Sequence, residues 1–371
     1  MKVLLLGNYP YLRSQSMDRF AGVLYEGLRA TGHLVRLMKP QPFFGRIFPS
    51  ATGFGKWLGY LDRFILFSLI LKQAADWADV VHICDQANAV YIPWLNRKPN
   101  VVTCHDMIAI RSAFNEIAEH KTGATGKVYQ RWIIAELKKA RHVACVSKTT
   151  YDDVLRLTRI ETGRVSVVKN GLNYPYRHMS EKLSLHHLEQ IGIADAVPFL
   201  LHVGSNDWYK NKEGLLRIFC QLIRLAAGKK WHLVVAGQGL TDELRILARK
   251  IGISDRIREA PNVTNEQLCA LYSCADGLIF PSIAEGFGWP IIEAQACGCP
   301  VLASNRRPMT EAGGDGAVYF DPLDVSGAAG IILQAIQNKD HLRQRGYRNA
   351  AKFSARDMID AYIQIYRLVA T

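Results

Sequence analysis

The stretch Pro281-Ser-Ile-Ala-Glu-Gly-Phe-Gly-Trp-Pro-Ile-Ile-Glu-Ala-Gln-Ala-Cys-Gly-Cys-Pro-Val301 decides how this chain is read. Leu278 to Phe280 just before it is an apolar run that predicts a buried strand. Gly286 and Gly288 then make a glycine-rich turn, and Pro290 marks the first position of a helix. Strand, glycine loop and helix in that order leave backbone N–H groups exposed at the helix mouth. Such a mouth suits an anion, phosphate above all. Glu285 falls in the loop, and Glu293 about one turn inside the helix. Carboxylates placed there can accept hydrogen bonds from the hydroxyls of a sugar or a ribose. The plain alternative is a surface helix with two solvated glutamates, and the ordered run of neighbours weighs against it.

A second stretch repeats the pattern. His202-Val-Gly-Ser-Asn-Asp-Trp-Tyr-Lys-Asn-Lys212 is again a strand, a glycine turn and the start of a helix. Lys210 at such a turn can reach a diphosphate and neutralise the charge that grows as a sugar departs. A third, Val101-Val-Thr-Cys-His105-Asp106, brings a His-Asp pair to the carboxyl end of a strand, where open α/β sheets place ligands. A histidine there is as often a structural hydrogen-bonded residue as a ligand contact.

Short apolar runs alternate with helical periodicity along the whole chain. The N-terminal half predicts strands at 3–6, 34–37, 80–84, 101–104, 142–146 and 165–168, each apolar on both faces. Its helices are expected at 17–30, 126–140 and 148–157. Residues 171–196 are polar and predict an interdomain connection. The alternation resumes with strands at 199–203, 232–236, 277–280, 301–303 and 317–320. Helices are expected at 213–227, 243–251, 265–274, 288–297 and 325–338. The economical fold is α/β, with two successive doubly wound domains. Their bounds are expected at 1–180 and 181–353, with a helix over 354–371 packing across the junction.

These motifs resemble the signature of the family 4, or group 1, retaining glycosyltransferases, which have two facing Rossmann-like domains in the GT-B architecture. The match lies in Pro281-Ser282, in Glu285 and Glu293 with seven residues between them, and in Gly298-Cys-Pro-Val301. It continues in Gly204-Ser205 and Lys210-Asn211, in Val235-Ala-Gly237-Gln-Gly239, in Asn170-Gly171 and in Ala144-Cys-Val-Ser147. The resemblance covers most of the chain and is strongest from 198 to 321. It implies a retaining sugar transfer from a nucleotide-diphosphate sugar to a saccharide or lipid-linked acceptor, the leaving phosphate acting as base. Glu285 would bind sugar hydroxyls and steady positive charge at the anomeric carbon, and His105 would contact the sugar. Glu293 would hold the ribose. Ser282, Gly286, Phe287, Gly288, Lys210, Gly204, Ser205 and Gly237 would surround the diphosphate and donor. Many members have an arginine where this chain has Ser205, so one positive charge is missing or comes from Lys212. The first turn also departs from the family. Gly7 to Ser16 lacks a glycine pair, leaving Ser14 and Ser16 as helix caps and Arg13 as a phosphate ligand.

No Asp-x-Asp is present to hold a divalent cation, so no metal and no cofactor is expected. No Gly-x-Gly-x-x-Gly follows the first strand, which removes the main support for a dinucleotide dehydrogenase. Two other functions fit less well. A nucleotide-sugar epimerase needs a further acid or base. A non-catalytic carbohydrate or lipid-headgroup binding module has no need of paired glutamates around a phosphate loop.

Charge is divided unevenly. Residues 1–180 carry 25 basic and 13 acidic side chains, and residues 181–371 carry 21 and 20. The basic half holds no nucleic-acid motif, so nucleic acid is excluded as a partner and an anionic membrane surface or lipid-linked acceptor is expected. Residues 43–71 mix Phe43, Phe44, Phe48, Phe54, Trp57, Tyr60, Phe64 and Phe67 with Arg46, Lys56 and Arg63. That mixture fits an interfacial amphipathic element or a core helix with a basic edge. No apolar run reaches membrane-spanning length. The eight cysteines lack Cys-x-x-Cys spacing and read as reduced core residues. The expected location is the cytoplasm, at the inner face of a membrane.

Overall fold

The computed structural model describes residues 1–12, 15–48, 53–196, 198–226 and 230–371. It contains two compact units, Met1–Asn173 with Ser354–Thr371, and Tyr174–Phe353. The strands of the first are β1 (Lys2–Leu6), β2 (Leu34–Met38), β3 (Val80–Ile83), β4 (Asn100–Cys104), β5 (His142–Cys145) and β6 (Val165–Val167). They form one parallel sheet in the order β2-β1-β3-β4-β5-β6. Val3 pairs with Val35 on one side and with Val80 on the other, which buries Leu4, Leu5 and Leu6 completely. Burying each contributes roughly 1.5–3 kcal/mol. The helices are α1 (Gln15–Ala30), α2 (Gly53–Leu61), α3 (Phe67–Trp77), α4 (Ile108–Ala113), α5 (Ala124–Leu137) and α6 (Lys148–Thr158), with a π turn at Asp62–Leu66 joining α2 to α3.

The second unit repeats the plan. Its strands are β7 (Phe199–Gly204), β8 (His232–Gly237), β9 (Ile257–Pro261), β10 (Gly277–Phe280), β11 (Val301–Ser304) and β12 (Ala317–Phe320), in the parallel order β12-β11-β10-β7-β8-β9. Its helices are α7 (Glu181–Gln190), α8 (Lys212–Leu225), α9 (Asp242–Lys250), α10 (Asn265–Cys274), α11 (Trp289–Ala296), α12 (Met309–Gly313), α13 (Val325–Gln337) and α14 (Lys339–Ala350). The last helix, α15 (Ala355–Ala370), belongs to the first unit.

In each sheet the chain winds outward one way and then returns to wind the other way. The reversal lies between β1 and β3 in the first unit and between β7 and β10 in the second. The carboxyl ends of strands flanking such a reversal form the crevice that doubly wound folds use for ligands.

Several expectations are corrected. The units divide at 173/174 rather than 180/181. The polar stretch 171–196 contains α7, anchored by the buried Ser184 and Leu188. The terminal helix packs on the first sheet: the Tyr366 and Tyr362 hydroxyls lie 2.6 Å from His82 Nδ1 and 2.8 Å from Thr103 Oγ1. β2 is not apolar on two buried faces. It is an edge strand, with Leu34 62% exposed. β9, the opposite kind of omission, is a polar edge strand that ends in proline, which an edge tolerates. Ser16 lies inside the first turn of α1, while Arg13, Ser14 and Ala227 lie outside the described residues.

Candidate functional site

The loops after β7 and β10 meet at the second unit's reversal point. After Gly204 the chain makes a short turn at Trp208–Lys210 and then enters α8 through Asn211, which takes the left-handed conformation at φ 53°. The Asn211 carboxamide accepts the Gly214 N–H at 3.1 Å and donates to the Pro281 carbonyl at 3.2 Å. One side chain thus caps the helix and latches the two loops. The Ile283 N–H adds a bond of 2.7 Å to the Tyr209 carbonyl. Across this latch Lys210 Nζ donates to Glu285 Oε1 at 2.6 Å, with the side chains only 13% and 9% exposed. The structure therefore brings together two of the three expected catalytic residues, which stand 75 positions apart in the chain.

The glycines have geometric causes. Gly288 precedes α11 with φ 100°, and Trp289 rather than Pro290 is the first helical residue. Gly237 has φ 96°, and a Cβ there would sit 2.8 Å from the Gly204 carbonyl oxygen. The ends of β7 and β8 approach this closely only with glycine. Gly286 and Phe287 follow Glu285 in the loop. The Phe287 ring packs 5.7 Å from that of Phe353 and 6.3 Å from that of Trp289, which leaves its backbone to the loop. The Ser205 hydroxyl donates to Asp207 Oδ2. Glu293 is buried on α11, and Tyr272 donates to its Oε2 at 3.0 Å. Burial and the Glu293 charge push the Tyr272 phenol well up, so it stays a donor.

Two polar atoms at these strand ends are buried without a partner, Ser282 Oγ and His202 Nε2. Buried polar atoms without partners are rare in folded proteins and point to a ligand or water. His202 holds the Ile279 carbonyl through Nδ1 at 3.1 Å. Burial drives its pKa down to about 3, so the ring is neutral. Sequence reading passed over His202 as a site residue, although a histidine in the apolar run Phe199-Leu-Leu-His-Val203 was the available signal.

Lys212, the expected substitute for the missing arginine, has another use. Its ammonium donates to Asn206 Oδ1 at 2.8 Å and to the Gln238 and Gly239 carbonyls. It ties the loop after β8 to the loop after β7. Burial lowers its pKa to about 8.

In the first unit, His105 stands at the carboxyl end of β4, buried, with Nε2 2.9 Å from the Cys84 carbonyl oxygen and its ring 4.8 Å from Phe20. Burial lowers its pKa, which keeps the imidazole neutral. At the reversal point Asn8 Nδ2 donates to Asp85 at 2.7 Å and Asn88 Nδ2 donates to the Asn8 carboxamide oxygen at 2.5 Å. A cavity of about 400 Å³ lies elsewhere in this unit, between β2 and α3.

Comparison with known proteins decides the family. Residues 186–353 match the model described as glycosyl transferases group 1, and residues 17–174 match the one described as glycosyltransferase family 4. The chain belongs to the group 1 glycosyltransferases. It is 27% identical over 333 residues to the O-antigen chain mannosyltransferase B of Escherichia coli, covering 86% of this chain and 84% of that one. Among solved structures, Anabaena HepE in complex with UDP and glucose superposes with a TM-score of 0.72 at 19% identity, covering 98% of each chain. WaaG, a glycosyltransferase involved in lipopolysaccharide biosynthesis, superposes with a TM-score of 0.75 at 17% identity, covering 98% of this chain and 99% of that one. Such likenesses carry the fold, GT-B with two Rossmann-like domains. The group 1 match spans the Lys210–Glu285 loops, α11 and both orphaned polar atoms.

Proposed function

We propose that this group 1 glycosyltransferase moves a hexose from a nucleotide-diphosphate donor to a hydroxyl of a saccharide or lipid-linked acceptor, retaining anomeric configuration and using no metal. The observation that carries the reading is the Lys210–Glu285 pair at the β7/β10 reversal, beside the mouth of α11. Bond breaking at the anomeric carbon sends an electron pair to the departing phosphate. Lys210 and the N–H groups of 286–288 stabilise that charge where a metal would otherwise stand. Glu285 accepts sugar hydroxyls and steadies the positive anomeric carbon. The acceptor oxygen forms the new bond and its proton passes to the departing phosphate.

Glu293, held by Tyr272, accepts the ribose hydroxyls. Gly204, Ser205, Gly237 and Ser282 line the donor's path at the strand ends. His105 serves as a sugar contact in its neutral form. The hexose is supported by the mannosyltransferase relative and by the glucose bound to HepE. The eight cysteines are all free thiols, which fits a reducing compartment, and we place the enzyme in the cytoplasm.

The test is a thermal-shift screen of nucleoside diphosphates and their sugars, followed by a donor-hydrolysis assay with the ligand that shifts most. A ligand at a hundred times its Kd stabilises by about 2.7 kcal/mol. Slow release of free sugar and nucleotide, abolished in Glu285→Gln, supports transfer. Stabilisation without turnover in the presence of any saccharide acceptor would favour a binding module.

A further inference from the structure

The segment from Phe43 to Ile70 carries an apolar surface that glycosyl transfer does not use. Of 21 large apolar side chains exposed among the described residues, eight lie in it. Trp57, Leu61, Ile65 and Leu69 form a row along α2, the π turn and α3. A spacing of four residues overshoots an α-helical turn by about 40° at each step, so such a row spirals away from one face. The wider π turn at Asp62–Leu66 takes back part of that rotation. Trp57, Ile65 and Leu69 are 58%, 53% and 62% exposed. The opposite side of the same helix, with Phe67, Ser68, Leu71 and Ala75, is core. The core-helix reading of 43–71 thus holds for one face, and the other face is an exposed apolar surface.

Phe43, Ile47 and Phe48 extend the surface from the preceding loop. Asp62 ties that loop to the helix by accepting the Phe44 and Gly45 N–H groups, each at 2.9 Å, and it also takes the Tyr9 hydroxyl at 2.9 Å. Arg63 is buried too and donates to the Tyr129 hydroxyl. On α5, the Trp132 ring lies 5.3 Å from Phe64 and continues the patch. With Asp62 and Arg63 used internally, the exposed charges described between 43 and 72 are Arg46, Lys56 and Lys72, all positive.

We propose that this face docks the protein on an anionic bilayer surface, the apolar row entering the headgroup–acyl boundary and Arg46, Lys56 and Lys72 meeting lipid phosphates. Charge decides the occupant. An isologous contact with a second copy would set these three cations against themselves. An anionic bilayer answers both the apolar row and its cationic flanks. The cavity of about 400 Å³ beside Phe43 and Ile70 opens on the same face. The inference concerns binding alone and stands whether or not the proposed sugar transfer is correct.

The experiment is co-sedimentation of the full chain with phosphatidylcholine vesicles, with and without 30% phosphatidylglycerol, at low and high salt. Each basic residue near an anionic surface is worth roughly fivefold in partitioning. The expected result is recovery with anionic vesicles at least tenfold above neutral ones, lost at high salt as the charges are screened. Arg46→Glu/Lys56→Glu/Lys72→Glu should abolish binding. Ile65→Ser/Leu69→Ser should lower it severalfold even at low salt, with circular dichroism unchanged since both residues are exposed. Equal recovery on neutral and anionic lipid overturns the proposal, as does no binding at low salt. So does a dimer in sedimentation velocity that Ile65→Ser/Leu69→Ser dissociates, because the face would then be a contact between copies.

Discussion

Replacing Lys210 by alanine should be more damaging than replacing Lys210 and Glu285 together. The wild-type pair is 2.6 Å apart, with both side chains almost fully covered. Removing one partner strands the other charge in a poorly hydrated place, which costs about 3–5 kcal/mol. The Lys210→Ala/Glu285→Ala double variant strands nothing and should recover most of that loss. At roughly 2–4 °C per kcal/mol for a unit of this size, each single variant should melt about 6–20 °C below wild type and the double variant well above either. Kinetics separate this structural effect from the chemical one. On the proposed reading Lys210 acts as an oxyanion donor, and its loss should then lower kcat by about two to three orders of magnitude. The double variant must stay at or below that rate even as its stability returns. Thermal melts and steady-state kinetics on the four proteins of the cycle make the test. A double variant whose melting loss equals the sum of the singles would refute the coupling. Near-wild-type turnover in Glu285→Gln, which keeps the volume and removes the charge, would refute the catalytic assignment.

If, as proposed, Lys210 and the helix mouth carry the compensating charge, activity should be complete in excess chelator; loss restored by magnesium or manganese would show otherwise. Glu293→Gln should raise the KM for donor more than it lowers kcat, because its partner Tyr272 and its place in α11 assign it to binding, and the kcat-to-KM split reads this directly. Acid should unfold the first unit partly through His82, whose pKa burial lowers to about 3. The unfolded ring, near 6.5, binds the proton that the folded ring refuses, so stability falls as pH drops below 6.5, by about 2 kcal/mol at pH 5. Denaturant melts of His82→Gln should show a shallower decline from pH 6.5 to 4.5, and parallel curves would count against this account.

The sequence disclosed the elements that obey one periodicity and concealed those that mix two. β1, β4, β7 and β10 are continuous apolar runs in the middle of sheets, and they were legible. β9 is Ile257-Arg-Glu-Ala-Pro261, an edge strand that needs no apolar face, so no pattern announced it; β2, also an edge, was legible from its apolar residues at 34–37, and only its burial on both faces was misjudged. α14, Lys339-Asp-His-Leu-Arg-Gln-Arg-Gly-Tyr-Arg-Asn-Ala350, buries Leu342, Gly346, Asn349 and Ala350, too few apolar positions to stand out. α2 and α3 were legible only as one undivided element over 43–71, because apolar residues on both the core face and the outer face blur the helical period. At the site, the motifs located Lys210, Glu285 and Glu293 but not their partnerships. An ion pair between positions 75 apart is set by strand order, and β7 lies beside β10 only because the chain reverses there. Lys212 shows the same limit. Its position suggested a phosphate ligand, whereas close approach of the β7 and β8 loops directs its ammonium to the Gln238 and Gly239 carbonyls.

The two units share a winding plan, and their reversal points differ in chemistry. The second unit offers a cation, a carboxylate and the N-terminus of an eight-residue helix. A diphosphate needs the first and third, and a developing positive centre needs the second. The first unit offers Asn8, Asp85 and Asn88 joined by hydrogen bonds, with a neutral His105 just after β4 in the same unit. Carboxamides, a carboxylate and an uncharged imidazole both donate and accept, which is what a polyhydroxylated acceptor demands and what a diphosphate does not. Among the described residues, Lys39 is the cation packed beside Gly7 at this reversal point, and it is paired with Asp18. Arg46, Lys56 and Lys72 instead lie around an apolar row on an outer helix face. On the two proposals made above, this cationic surface would hold the protein at an anionic bilayer, and the strand ends of the first unit, not the surface, would bind the acceptor hydroxyls.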